Sequence, residues 1–154
     1  MPAEKLKKFL DDNKVKYVSI KHSLAYTAQE IAASAHIHGR ELAKTVIVKL
    51  DGKPAMAVLP ASRRIDTDRL RRAALARSVE LATERELEDL FPGCALGAMP
   101  PFGNLYDMKV YADAVLAKDE EIAFNAGSHT ELIRMAYKSF EGLVNPVLAD
   151  ISGT

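Results

Sequence analysis

Two apolar stretches, Lys44–Leu50 and Pro54–Leu59, flank the dipeptide Asp51-Gly52. Asp-Gly between hydrophobic runs marks a two-residue β-hairpin, because the tight turn needs positive φ at both central positions. An antiparallel pair is therefore fixed early, and everything else must pack around it. In the first strand Val46, Val48 and Leu50 share one face and Ile47 takes the other. The returning strand is apolar on both faces, as a central strand is. Pro60 ends it.

The flanking segments alternate between helix and strand patterns. Leu6, Phe9 and Leu10 recur at helical spacing over Pro2–Asp12, and Asn13 can stop that helix. Lys16–Lys21 alternates as a strand. Thr27-Ala28-Gln29-Glu30 spells a capping box, with a short helix to about Ala35 that stops near Gly39. Asp66 caps a helix reaching about Ala76. Val79–Leu81 reads as a brief strand. Thr83-Glu84-Arg85-Glu86 is a second capping box, with Leu87, Leu90 and Phe91 as the buried stripe and Pro92-Gly93 as the stop. Met108–Ala112, Glu121–Phe124 and Glu131–Met135 read as strands, and Ala136–Phe140 as a last helical turn. This mixture predicts an α+β chain, a single domain over residues 1–154, with a mixed, largely antiparallel sheet flanked by helices.

Hydrophobic residues make up 48% of the 154 positions, enough for a real core. No apolar run reaches the ~18 residues of a membrane span, and a signal peptide is not expected from the opening residues, where Phe9-Leu10 sits between lysines and aspartates. A cytoplasmic location without membrane contact is expected. Lys+Arg and Asp+Glu balance at 21 each, so net charge gives no argument for nucleic acid, and any RNA contact must rest on a local patch. Arg63, Arg64, Arg69, Arg71, Arg72 and Arg77 cluster around the third predicted helix. They suit either an RNA backbone or a solvated helix face.

The chemistry concentrates in two loops and one strand end. Leu96-Gly97-Ala98-Met99-Pro100-Pro101-Phe102-Gly103-Asn104 is stiffened by two prolines that fix φ and remove two donors. Bare N–H groups are expected at Gly97, Ala98 and Met99, able to hold a carbonyl or an oxyanion. The bland alternative is a rigid surface turn. Asn125-Ala126-Gly127-Ser128-His129-Thr130 is a second polar loop, in which Gly127 permits close backbone approach. His129 can shuttle a proton near neutral pH or simply bond its own backbone. Lys44, at the start of the hairpin, can hold a phosphate or polarise an acyl group, or be an ordinary surface lysine. Ser128 and His129 are adjacent and point to opposite faces, which argues against a serine nucleophile. His36 and His38 lack further ligands, so no metal is expected. Cys94 is alone in an apolar stretch and reads as an inert thiol.

The order of these pieces resembles the YbaK / prolyl-tRNA synthetase-associated editing family of free-standing deacylases. Lys44-Thr45 leads an apolar hairpin. The Gly97-Ala98-Met99-Pro100-Pro101-Phe102-Gly103 loop and the Phe124-Asn125-Ala126-Gly127-Ser128-His129 loop follow in sequence. His22, followed by the Thr27-Ala28-Gln29-Glu30 box, fits as well. The resemblance implies a curved, barrel-like sheet and hydrolysis of mischarged aminoacyl-tRNA, without a cofactor. The family's lysine falls on Lys44, its Gly-x-x-x-Pro loop on Gly97 to Pro101, and a substrate-positioning histidine on His129. Gly97, Lys44 and His129 are then the catalytic candidates. His22, Ala98, Met99, Pro100, Pro101, Phe102, Gly127 and Ser128 are candidates for binding substrate, with Met99, Phe102, His22 and Ile20 as pocket walls. Cysteine-specific members often carry an aromatic residue where this chain has Ile20, and an acidic one where it has Leu132. Alanine, serine or threonine esters are therefore expected ahead of cysteine, with tRNA for proline as one carrier. The expected partners are the acceptor end of aminoacyl-tRNA and, secondarily, an aminoacyl-tRNA synthetase. A non-catalytic tRNA- or synthetase-binding module is the competing reading.

Overall fold

The computed structural model describes residues 2–21 and 41–153. The capping box at 27–30 and its helix, together with His22, His36 and His38, lie outside the described residues. Helix α1 (Pro2–Asp12) buries Leu6 and Leu10 completely, and the Asn13 side-chain amide donates to Phe9 O at 2.8 Å to end it. Strand β1 (Tyr17–Lys21) runs antiparallel to β8 (Glu131–Ala136), which pairs antiparallel with β7 (Glu121–Asn125).

A second sheet holds the hairpin. Strands β2 (Ala43–Leu50) and β3 (Lys53–Pro60) meet at Asp51 and Gly52, with φ of 50° and 86° as the Asp-Gly turn demands. With β5 (Val79–Leu81), β6 (Lys109–Asp113) and β9 (Val147–Ala149) the order is β5-β2-β3-β6-β9, so β3 is central. Strands β3, β6 and β9 are mutually parallel. The chain between β3 and β6 carries two helices and the proline loop, ample for the crossover that a parallel pair requires. A two-stranded ladder joins β4 (Arg64–Ile65) to β10 (Ser152–Gly153). Among the described residues the strand pairing is mixed and largely antiparallel, as the helix–strand pattern predicts, with only β3–β6 and β6–β9 parallel. These residues form three sheets that do not close into a ring, and the largest is mixed.

Alternation along β2 and β3 divides the interior. Ala43, Ile47, Met56 and Val58 join one core with α1 and the phenylalanines, whereas Val48, Ala55 and Ala57 join Leu70, Tyr111 and Ile151 on the other face. Leu70 comes from α2 (Thr67–Ala74), capped by the Asp66 carboxylate, which accepts from the Asp68 and Arg69 amides at 3.1 Å. Leu75, in the left-handed region, stops this helix short of Ala76. The Thr83–Glu86 capping box opens α3 (Glu84–Leu90), and α4 (Tyr137–Val144) continues past the single turn expected.

Candidate active site

The proline loop is nailed to the core by its side chains. Phe102 is wholly buried, with its ring 6.1 Å from Phe9 and 5.6 Å from both Phe124 and Phe140. Such an anchor is worth about 3–5 kcal/mol against alanine. Phe102, expected as a pocket wall, is therefore a core residue, because a ring ringed by three others has no face left for a ligand. Met99, Pro100 and Pro101 are buried too, while Leu96 and Gly97 stay exposed. Gly103 closes the loop where a Cβ would sit 2.4 Å from Met108 O.

The two loops are stitched together by backbone. The Ala95 amide donates to Gly127 O at 2.9 Å, and the Gly127 amide donates to Ala98 O at 2.8 Å. Gly127 reaches both partners with φ of 99°, which favours glycine. The Ala98 amide is itself spent on Ala95 O at 3.0 Å. The expected trio of bare donors is corrected to two: among the described residues the amides of Gly97 and Met99 have no partner.

His129 closes this clasp. Its Nε2 donates to Leu96 O at 2.5 Å, and its ring covers Gly97, where a Cβ would lie 3.7 Å from Cε1. With Nε2 carrying the proton, Nδ1 of the neutral ring is left as an acceptor. Ser128 Oγ bonds Thr130 Oγ1 at 3.1 Å and not His129, in keeping with the absence of a serine–histidine pair. The Ala126 amide donates to Glu131 O at 3.0 Å and closes the loop. Glu131 anchors it further by accepting from Lys7 Nζ at 2.5 Å and from Ser19 Oγ.

Among the described residues no hydrogen bond joins Lys44 to Gly97 or His129. Lys44 is brought alongside by topology. A parallel bridge pairs Leu42 with Ala123, and two residues beyond it stand Lys44 on one strand and Asn125, where the His129 loop begins, on the other. Ala43, next to Lys44, shares a core cluster with Met99 and Ala126. Lys44 is half-buried and makes no ion pair among the described residues. Burial, and then repulsion from Arg64, hold its pKa below the usual lysine range.

Ile20, expected at a wall, pairs with Leu132 across β1 and β8 and packs near Leu42 and Ala123. Cys94 is partly buried, and burial raises its thiol pKa, as suits an inert group. Among the described residues no three His, Cys, Asp or Glu side chains converge to hold a metal ion. None of their helices is long and apolar enough to cross a membrane. Leu96 O and the Ala95 amide carry no sequence signal, since any residue supplies a carbonyl or an amide.

The family model for the aminoacyl-tRNA editing domain matches residues 22–143. The chain is 29% identical over 130 residues to the Multifunctional Ser/Thr-tRNA deacylase ProXp-y of Escherichia coli (strain K12), covering 79% of this chain and 77% of the relative. It is 30% identical over 87 residues to a proline--tRNA ligase of Lysinibacillus sphaericus, 56% of this chain but 15% of that protein. A crystal structure of a candidate trans-editing enzyme for prolyl tRNA synthetase superposes with a TM-score of 0.85 at 21% identity, covering 99% of this chain and 98% of the other. The fold is shared across that distance.

Proposed function

We propose that this chain, which belongs to the aminoacyl-tRNA editing domain family, hydrolyses the ester of mischarged tRNA carrying a small amino acid. The observation that carries the reading is the clasp: the uncommitted amides of Gly97 and Met99, with Gly97 under an imidazole fixed by Leu96 O, on a loop that its own core residues keep rigid. An aminoacyl ester is already activated, so its hydrolysis needs orientation and charge stabilisation more than strong acid or base. The amides of Gly97 and Met99 hold the tetrahedral oxyanion; one such donor is worth about 3–4 kcal/mol. Nδ1 of His129 accepts from the attacking water or the free ribose hydroxyl, which assists in activating that water. Lys44 holds the phosphate of the terminal adenosine or the developing charge.

A pocket that excludes the correct amino acid supplies discrimination that binding alone provides only ~10–200-fold. The Ile20–Leu132 pair presents neither an aromatic ring nor a carboxylate, which favours serine, threonine or alanine over cysteine. The E. coli relative, named a Ser/Thr-tRNA deacylase, points the same way. The test is a deacylation series on alanyl-, seryl-, threonyl- and cysteinyl-tRNA, including tRNA for proline. Release of at least one of the first three, faster than of cysteine, is expected. A mobility shift with no release on any of them reduces the chain to a binding module and refutes the proposal.

A further inference from the structure

The arginines around α2 fall into two groups once their partners are known. Arg69 pairs with Asp66 at 3.4 Å and Asp150 at 3.0 Å, Arg71 with Asp68 at 2.9 Å, and Arg72 with Asp68 at 2.6 Å. Their charge is answered locally, so most of the basic run seen in the sequence offers little to an anion. Arg64 and Lys44 have no acidic partner among the described residues. The Arg63 side chain donates to the Ser152 hydroxyl at 3.3 Å.

Backbone geometry brings these three cations to one strand end. The Ala61 amide donates to Leu42 O at 2.7 Å, and the Arg63 amide to Pro60 O at 3.0 Å, so the chain leaving β3 folds back beside the start of β2. Arg64 then enters β4, pinned by its ladder to β10. That ladder rests on a buried carboxylate: Asp113 accepts from Ser152 Oγ at 2.5 Å and from the Ile151 amide at 3.3 Å. Ser152 relays this hold to Arg63. Like charges held close without counter-ions cost stability unless an anion joins them; burial first, and then repulsion from Arg64, lower the Lys44 pKa.

We infer that Arg64, with Arg63 beside it, forms a phosphodiester-binding element that holds the RNA backbone next to Lys44, at the acceptor end. This rests on the reading of the substrate as an aminoacyl-tRNA. The partner is a phosphodiester chain, because two guanidinium groups and an ammonium along one strand end match successive phosphates better than one compact ion.

The test uses an uncharged acceptor-stem RNA minihelix ending in CCA, so that it does not depend on turnover. Its affinity is measured by fluorescence anisotropy across a KCl series for wild type, Arg64→Gln and Arg64→Lys. The log–log salt slope should fall by ~0.7–0.9 in Arg64→Gln, one phosphate contact, and stay near wild type in Arg64→Lys. Deacylation of an aminoacyl-adenosine lacking phosphate should be equal in all three proteins. An unchanged slope in Arg64→Gln, or no RNA binding by the wild type, overturns the inference. So does a loss as large on the phosphate-free ester as on tRNA, which makes Arg64 a group that tunes Lys44. Inorganic phosphate that competes with the minihelix at equal concentration points to a free-phosphate site and overturns it too. If the minihelix binds as expected but no acyl-tRNA is hydrolysed, the phosphate element stands and the deacylase reading falls.

Discussion

Replacing Lys44 by methionine removes an ammonium while keeping a long unbranched stem on the same strand face. In the folded protein that ammonium is half-buried, lacks an ion pair among the described residues, and sits near Arg64. Its pKa is below the ordinary 10.5, so folding is opposed whenever the group is charged. The sign follows from proton counts. Between the lowered folded pKa and 10.5 the unfolded chain binds more protons, so wild-type stability rises with pH through that window. The penalty is in full force below the folded pKa and gone above 10.5. Lys44→Met removes it at neutral pH. Partial exposure screens the charge, so the gain is set at about 0.5–1 kcal/mol, or roughly 1–4 °C in Tm for a chain of this size. Deacylation should fall by ~10²–10³-fold if the ammonium stabilises charge in the transition state. Urea unfolding at pH 7 and near pH 11, with single-turnover release from seryl-tRNA, reads both quantities. The stability advantage should fade at the higher pH. A variant less stable than wild type at pH 7, or one retaining activity within about threefold, refutes the account of Lys44 as a charge kept at a cost to the fold.

Gly103→Ala should destabilise by more than about 3 kcal/mol, because the new Cβ would stand 2.4 Å from Met108 O and 2.6 Å from Val110 Cγ2; Gly142→Ala in α4, with nothing within 4 Å, should instead stabilise by about 0.5–1 kcal/mol. Paired thermal melts check the contrast, and equal shifts would place Gly103 in a looser environment than described. Glu131 is held below the usual carboxylate range: burial pushes its pKa up, but hydrogen bonds from Lys7 and Ser19 outweigh it. Its contribution is present above pH 4.5 and is lost as pH falls through the lower folded value. Glu131→Gln should therefore cost about 1 kcal/mol at pH 7, a cost that shrinks as pH falls below 4.5 through the folded value, measured by urea midpoints across that range.

The hairpin, the Asp66 cap and the Thr83–Glu86 box were legible because each is a local rule met by adjacent residues. The parallel set β3-β6-β9 was not. Parallel partners lie far apart in sequence, and β9 is three residues long, too short for any period to show. The ladder between β4 and β10 depends on Asp113, whose carboxylate is buried against a segment nearly forty residues on. At the site, glycine and histidine positions could be read as suspects, but the division of labour could not. Ala98 looked as open as Gly97 until its amide was found on Ala95 O. Phe102 looked like a wall because the sequence cannot show three other rings already around it.

Those two corrections explain each other. A loop can present unpaired amides to a ligand only if something else holds it still, since unpaired donors invite the backbone to rearrange. Here the anchoring comes from the apolar side chains that enter the core, and the alignment from the three hydrogen bonds that link Ala95, Ala98 and Gly127. Phe102, through its buried ring, and Ala98, through its committed amide, hold the loop still. What remains free, the amides of Gly97 beneath a tethered His129 and of nearby Met99, is free because its neighbours are committed. The same logic operates at the strand end, where Arg69, Arg71 and Arg72 are neutralised by aspartates and Lys44 and Arg64 are left to act.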